Sequence, residues 1–421
     1  MMKPSINIHQ DILNNSQRPY FGLNPIDPKW DEVEIKPGYT VFFDGNVIKK
    51  VISLFPPPSM EWDKYREYDT ELPTRDRQFV LPKTAKGKEK KLNYTSVNAV
   101  MPSGVEFHLE IGGLRPSLWV GNPRNAISLS LSEERIEPKT LEEFRQWRDV
   151  YIADSPPDHF EKVDRMRNLS HRTIKYFNGD IFRFEIGRDH YGFGIIIGQI
   201  LKMQKDGIIP EERHALNHVM MVPLLVRFYQ LKTKDREPAI ETITSSPMLP
   251  AAIMSDGPVL WGSVDIVGNK QLQADDIDFL MHVGRTHSGK RDSFCFCWGI
   301  GMMVTKKTSD MPKLKDTRYP HGCDFFNNGV DCGVDTSIVL RAMRGEYPHQ
   351  AWRDICHPDN SFHKEAVFQY LQLPLSISFD EFNSQHNGMT RQQYADYANK
   401  YLRVEKTSTP SKKGRSSSQK Q

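Results

Sequence analysis

The stretch Tyr176–Leu201, YFNGDIFRFEIGRDHYGFGIIIGQIL, constrains the fold more than any other part of the chain. Between Asp180 and Ile186, Phe182, Phe184 and Ile186 alternate with Arg183 and Glu185, the period of two that a half-buried strand requires. Gly187-Arg188-Asp189-His190 carries turn chemistry, because Gly and Asp accept the backbone angles of a tight reversal. Tyr191–Leu201 then reads as the returning strand, its centre Ile195-Ile196-Ile197 suited to burial on both faces. The segment predicts one long β-hairpin with a small β-rich domain built on it.

The pattern of Asn178-Gly179-Asp180, aromatic-x-aromatic, a turn, Tyr191-Gly192-Phe193-Gly194 and an aliphatic run resembles the opening of the immunity protein 26 family of bacterial polymorphic-toxin systems. Met221–Tyr229 and Leu260–Phe279 fit the same pattern, and the resemblance spans about residues 176–298. It implies an immunity protein that binds a cognate protein toxin and blocks it by occlusion, without turnover or a required cofactor. The same group also carries the label phosphotriesterase HocA-like, which implies an alternative, metal-assisted hydrolysis of phosphotriester-like substrates.

At 421 residues, with 38% hydrophobic and 26% charged residues, the chain has room for two or three soluble globular domains. Its formal net charge is +3, but Lys406, Lys412, Lys413, Arg415 and Lys420 exceed that excess, so the body is slightly acidic. Such a body offers no electrostatic footprint for nucleic acid. The opening MMKPSINIHQDILNN lacks the apolar core of a signal peptide, and the longest apolar runs are too short to span a bilayer. Five cysteines, an odd number confined to Cys295–Cys356, favour reduced thiols. The expectation is a cytoplasmic protein without membrane contact.

The expected fold class is α+β. Residues 1–30 read as a poorly ordered lead-in, and 31–153 as a strand-rich N-terminal region with a turn at Asp44-Gly45-Asn46. Within it, Glu61–Leu72 reads as a surface loop or a short helix, Ser96–Met101 and Val105–Ile111 as strands, and Thr140-Leu141-Glu142-Glu143 as a capping box that starts a helix. Residues 154–170, with paired prolines, read as a linker, 171–304 as the hairpin domain, 305–405 as a helical region and 406–421 as a disordered basic tail. Tyr394, Tyr397 and Tyr401 follow a capping box at helical spacing and are expected to form a packing face.

No catalytic residues are assigned. Gly192, Gly194 and Gly198 miss the dinucleotide fingerprint and lie within a strand, which points to close packing instead of a nucleotide. His214 and His218 have the spacing to share a metal if they lie on one helix. His321, Cys323, Cys332, Cys356 and His357 are zinc-type ligands within a short span, although their spacings match no zinc knuckle and buried thiols with ordinary surface histidines explain them well. Cys295 and Cys297 share one strand face and are expected in a core. For a toxin-binding surface the candidates are Arg188 and Tyr191 at the hairpin turn, Trp261, and the acidic cluster Asp275, Asp276 and Asp278, which could steer a basic partner or simply form a turn.

Overall fold

The computed structural model describes residues 8–55, 64–112, 116–133, 135–170, 173–210, 214–288, 291–306, 334, 336–346, 355–356 and 358–403. The basic tail 406–421 lies outside them, and so do His321, Cys323, Cys332 and His357. The lead-in holds a short helix, α1 (Ile8–Ile12), and buries Ile12, Leu13, Phe21 and Leu23 against the first sheet.

That sheet begins as a meander of β1 (Asp31–Lys36), β2 (Tyr39–Asp44) and β3 (Val47–Phe55), reversing at Gly38 and Gly45, both at positive φ. Glu61–Leu72 is neither loop nor short helix. It falls largely within β4 (Lys64–Arg75), a central strand of the sheet. The alternation is hidden because Glu67 and Asp69, both buried, take core-facing positions. They are neutralised by Arg18 and Lys50, distant in sequence: Arg18 lies 2.8 Å from Glu67, and Lys50 lies 2.7 Å from Glu67 and 2.6 Å from Asp69.

After β5 (Phe79–Val80) and β6 (Lys90–Lys91), the segment expected as a strand from Ser96 forms a helix, α2 (Tyr94–Asn98). Asn93 caps it, its side chain accepting from Ser96 N while Ser96 Oγ accepts from Asn93 N, and this local bonding outweighs strand propensity. β7 (Glu106–Glu110), β8 (Ser117–Asn122) and β9 (Ile127–Ser128) complete the sheet. Thr140 caps α3 (Leu141–Ala153) as expected, and α4 (His159–Asn168) follows within the stretch read as a linker. Both lay apolar residues on the sheet, Phe144 and Tyr151 from α3 and Met166 from α4.

The hairpin forms as its alternation requires: β10 (Asp180–Ile186) pairs with β11 (His190–Gln199), from Ile181 opposite Ile195 to Ile186 opposite His190. Ile200 and Leu201 differ from expectation, since they open α5 (Ile200–Lys205). β12 (Pro223–Phe228), α6 (Ile240–Thr244), β13 (Ala252–Ser255), α7 (Gly257–Leu260) and β14 (Asp265–Asn269) follow, giving an antiparallel sheet in the order β13-β12-β11-β10-β14. Both faces are covered. Ile181, Phe193, Ile195 and Ile197 pack on one side, and Phe182, Phe184, Ile186 and Ile196 on the other. Phe182 and Phe184 lie across Gly194 and Gly192 in register, and a Cβ at either glycine would stand 2.4 or 2.5 Å from the opposing ring. Close packing therefore explains these glycines.

β15 (Met281–Ser288), β16 (Arg291–Trp298) and β17 (Gly301–Lys306) form a third antiparallel sheet. In the C-terminal region α8 (Thr336–Met343) covers the Phe182 face of the central sheet, while α9 (Ser361–Tyr370) and α10 (Phe379–Gln385) pack on the third sheet. α11 (Arg391–Ala398) starts at the Thr390 capping box. Tyr394 and Tyr397 join the other central core, the packing role expected of them, and the Tyr394 hydroxyl donates to Ile197 O at 3.3 Å. No helix among the described residues is long and apolar enough to cross a membrane.

Candidate functional site

The hairpin tip meets the N-terminal region. The Arg188 guanidinium stacks 3.7 Å from the Tyr151 ring centroid, donates to Tyr151 O at 2.6 Å and reaches Ser155 Oγ at 2.8 Å. Lys162 Nζ donates to Arg188 O at 2.6 Å. Tyr191 is buried, its hydroxyl 3.5 Å from an Asp158 carboxylate oxygen. These two sequence candidates thus form a joint between units. Arg188→Ala is expected to remove about 1–2 kcal/mol of stacking and hydrogen bonding. The measurable result is faster proteolysis in the Asp154–Asp158 segment, with the secondary structure retained by circular dichroism.

Behind the tip lies a charged cleft of about 240 Å³, lined among others by Asp158 at the start of α4, Lys162 and Arg165 on α4, Arg183, Glu185 and Asp265 of the central sheet, and Arg236. Asp265 bridges two cations, accepting from Arg165 at 2.7 and 3.1 Å and from Arg183 at 2.7 Å. Burial raises the Glu185 pKa despite the nearby Lys162 and Arg165. A second cavity of about 380 Å³ shares Lys162, Arg165 and Glu185 with the first and continues toward β9 and α7. The alternation in β10 marked Glu185 as lying on the face opposite Phe184, but nothing in the sequence marked its neighbours from α4.

Trp261 is 39% exposed at the end of α7, its ring against Gly257. The main chain ties this corner to the start of β12, where Asp256 N donates to Val222 O at 2.9 Å. Met220, Met221 and Val222 are also exposed, with Met221 at φ +66°, a left-handed conformation rare for its residue type. Four apolar side chains therefore face solvent around one end of the central sheet. Met220 and Val222 were missed as surface residues because the run reads as the start of a buried strand.

The acidic cluster is largely engaged internally. Asp276 is buried and pairs with Lys270 at 2.8 Å, Asp278 accepts from Ala251 N at 2.7 Å, and Asp275 is exposed. His214 and His218 do not share an α-helix, because only the 3-10 turn Ala215–Asn217 separates them. His214 is buried and its Nδ1 accepts from Leu216 N; burial and the neighbouring His282 push its pKa down to about 3. Cys295 and Cys297 are buried as expected, their sulfurs 3.4 Å apart. Cys356 is half-buried, with Sγ 3.3 Å from Met281 Sδ. Among the described residues, no group of three or more His, Cys, Asp or Glu side chains is placed to hold a metal ion.

Comparison with curated proteins and with solved structures finds no match. A family model does match: residues 177–293 fit Immunity protein 26, from the turn that opens the hairpin into β16. The part of the chain organised around the hairpin is thus a match to the immunity protein 26 family, over well under half of the whole sequence.

Proposed function

We propose that this protein is an immunity protein that binds a cognate protein toxin in the bacterial cytoplasm and neutralises it by occlusion. The observation that carries this reading is the Immunity protein 26 match over the central sheet. The docking surface we assign is the corner of Met220, Met221, Val222 and Trp261, within the matched residues and exposed to solvent. Methionines and a tryptophan on a rigid frame supply the adaptable apolar contact that interface centres use. The hairpin tip does not suit this role, being engaged by the N-terminal region.

The test is co-expression with the toxin encoded beside it, with growth rescue and affinity as readouts. Trp261→Asp combined with Met221→Asp is expected to weaken binding by about 2 kcal/mol or more, some thirtyfold in Kd or greater, and to abolish rescue. Full protection by that variant would sink the assigned surface. Failure of the unaltered protein to bind or protect would sink the immunity reading itself.

A further inference from the structure

One face of the first sheet carries the core of Tyr65, Phe107, Leu109 and Val120. On the other face, Val51 and Tyr68 join a second cluster with Val97 of α2, while the half toward β8 meets solvent. There the strand registers place Ser53, Arg66, His108 and Trp119 in one row across β3, β4, β7 and β8, and Phe55, Lys64, Glu110 and Ser117 in the next. Trp119 is 41% exposed, and its indole lies along the strand over Gly121, where a Cβ would stand 2.5 Å from Trp119 Cζ2. The missing side chain thus makes room for the ring to lie on the sheet. Directly opposite, the half-buried His108 side chain has no hydrogen-bond partner among the described residues. Burial lowers its pKa, so the neutral imidazole offers one donor and one acceptor. The charges on this half cancel in two pairs, Arg66 with Glu106 at 2.5 Å and Lys64 with Glu110 at 3.4 Å.

We propose that this sheet face binds a neutral pyranose unit, stacked on the Trp119 indole and hydrogen-bonded by His108 and the flanking ion pairs. A pyranose presents C–H groups on one face and hydroxyls at its rim, which matches a single aromatic ring bordered by both donors and acceptors. A protein partner is disfavoured because Trp119 lacks the contiguous apolar cluster of an interface centre: its neighbours on this face are His108 across the strands and Ser117 and Gly121 along its own. A nucleic acid is disfavoured because the cancelled charges leave no excess cation for phosphate.

Phe55 is 65% exposed on the same face, three strands from Trp119, which is about 14 Å across the strands at the ordinary spacing. That separation suits several linked pyranoses touching both rings. The sugar therefore has two possible sources, a free monosaccharide held at Trp119 and an oligosaccharide laid across both aromatics. Trp119 and Phe55 lie outside the family match, so sugar binding here is independent of toxin binding at the Trp261 corner.

The experiment is isothermal titration of the full chain with glucose, N-acetylglucosamine, cellohexaose and chitohexaose. Saturable binding of any of them with a millimolar or tighter Kd, weakened about tenfold or more by Trp119→Ala, supports the site. Trp119→Phe, which keeps an aromatic face, is expected to bind within about threefold of the parent. Phe160→Ala, which removes an exposed aromatic from α4 on the opposite side of the sheet, is expected to change nothing. A hexaose that binds about tenfold tighter than its monosaccharide and is weakened by Phe55→Ala assigns the extended chain, and equal affinities assign the single ring. No saturable binding of any probe up to about 10 mM, or equal binding by Trp119→Ala, overturns the proposal. Salt-sensitive binding of a ten-residue oligothymidylate in place of the sugars overturns it in favour of a nucleic acid. Toxin binding lost in Trp119→Ala while no sugar binds overturns it in favour of a protein contact. A melting temperature for Trp119→Ala within about 2 °C of the parent excludes loss of fold as the cause. Toxin binding by the same variant, expected unchanged, keeps this test separate from the immunity reading.

Discussion

Glu67→Ala is expected to remove about 3–5 kcal/mol of stability, because it leaves two cations in the first core without their shared counterion. Glu67 is fully buried and accepts from Arg18, from Lys50 and from the Tyr65 hydroxyl. Burial alone would raise its pKa, but attraction to Lys50 and Arg18 outweighs that and holds it down to about 2. The sign of the pH effect follows. A carboxylate with a depressed folded pKa stabilises above its unfolded pKa of roughly 4.3, and that contribution is lost as pH falls toward the folded value. Urea titrations of the two proteins should therefore differ most near neutral pH and converge toward pH 2. Asp69 works in the opposite direction: burial raises its pKa against the pull of Lys50, so its own contribution becomes less favourable as pH rises through the raised value. A Glu67→Ala protein as stable as the parent at pH 7 would show that the group adds nothing to the fold.

Asp180→Ala is expected to cost about 3 kcal/mol and to loosen the C-terminal segment from the central sheet. The Asp180 side chain is fully buried, accepting from Phe177 N at 2.8 Å, Asn269 Nδ2 at 2.9 Å and Arg403 at 2.8 and 3.1 Å. Arg403 is 39% exposed and can rehydrate, which keeps the cost below that of Glu67→Ala. Beside it Gly179 sits at φ +78°, where a Cβ would stand 2.2 Å from Lys270 O, and Asn178 Nδ2 donates to Ala398 O at 3.0 Å. The Asn-Gly-Asp motif at the start of the hairpin is thus a clasp joining β10, β14 and the end of α11. Two readouts check this, a lower urea midpoint and faster tryptic cleavage after Arg403. Unchanged cleavage with a lowered midpoint would mean that the clasp stabilises the sheet without holding the C-terminal segment.

Local pattern made some features legible and left others hidden. The hairpin, the meander turn at Gly45-Asn46, the capped starts of α3 and α11 and the tyrosine face were all legible, because a strand period, a turn residue or a cap needs only near neighbours in sequence. β4 was not, because its alternation is carried by Glu67 and Asp69, which count as polar until Arg18 and Lys50 are placed beside them. α2 was missed because Asn93 and Ser96 cap each other, a bond that apolar alternation does not reveal.

The candidate sites divide in the same way. Trp261 could be singled out as an aromatic beside a turn, and its exposure places it at the corner with Met220 to Val222. Arg188 and Tyr191 looked like a presented turn, yet α3 and α4 cover that turn. The hairpin, the turns and caps, and the resemblance of the central segment to a family follow from the order of side chains along a few residues. Which charges are buried and which turn is a joint were settled only when the chain folded. Those outcomes depend on desolvation and on ion pairs such as Arg18–Glu67 and Arg165–Asp265, whose partners lie 49 and 100 residues apart and meet only when the chain folds.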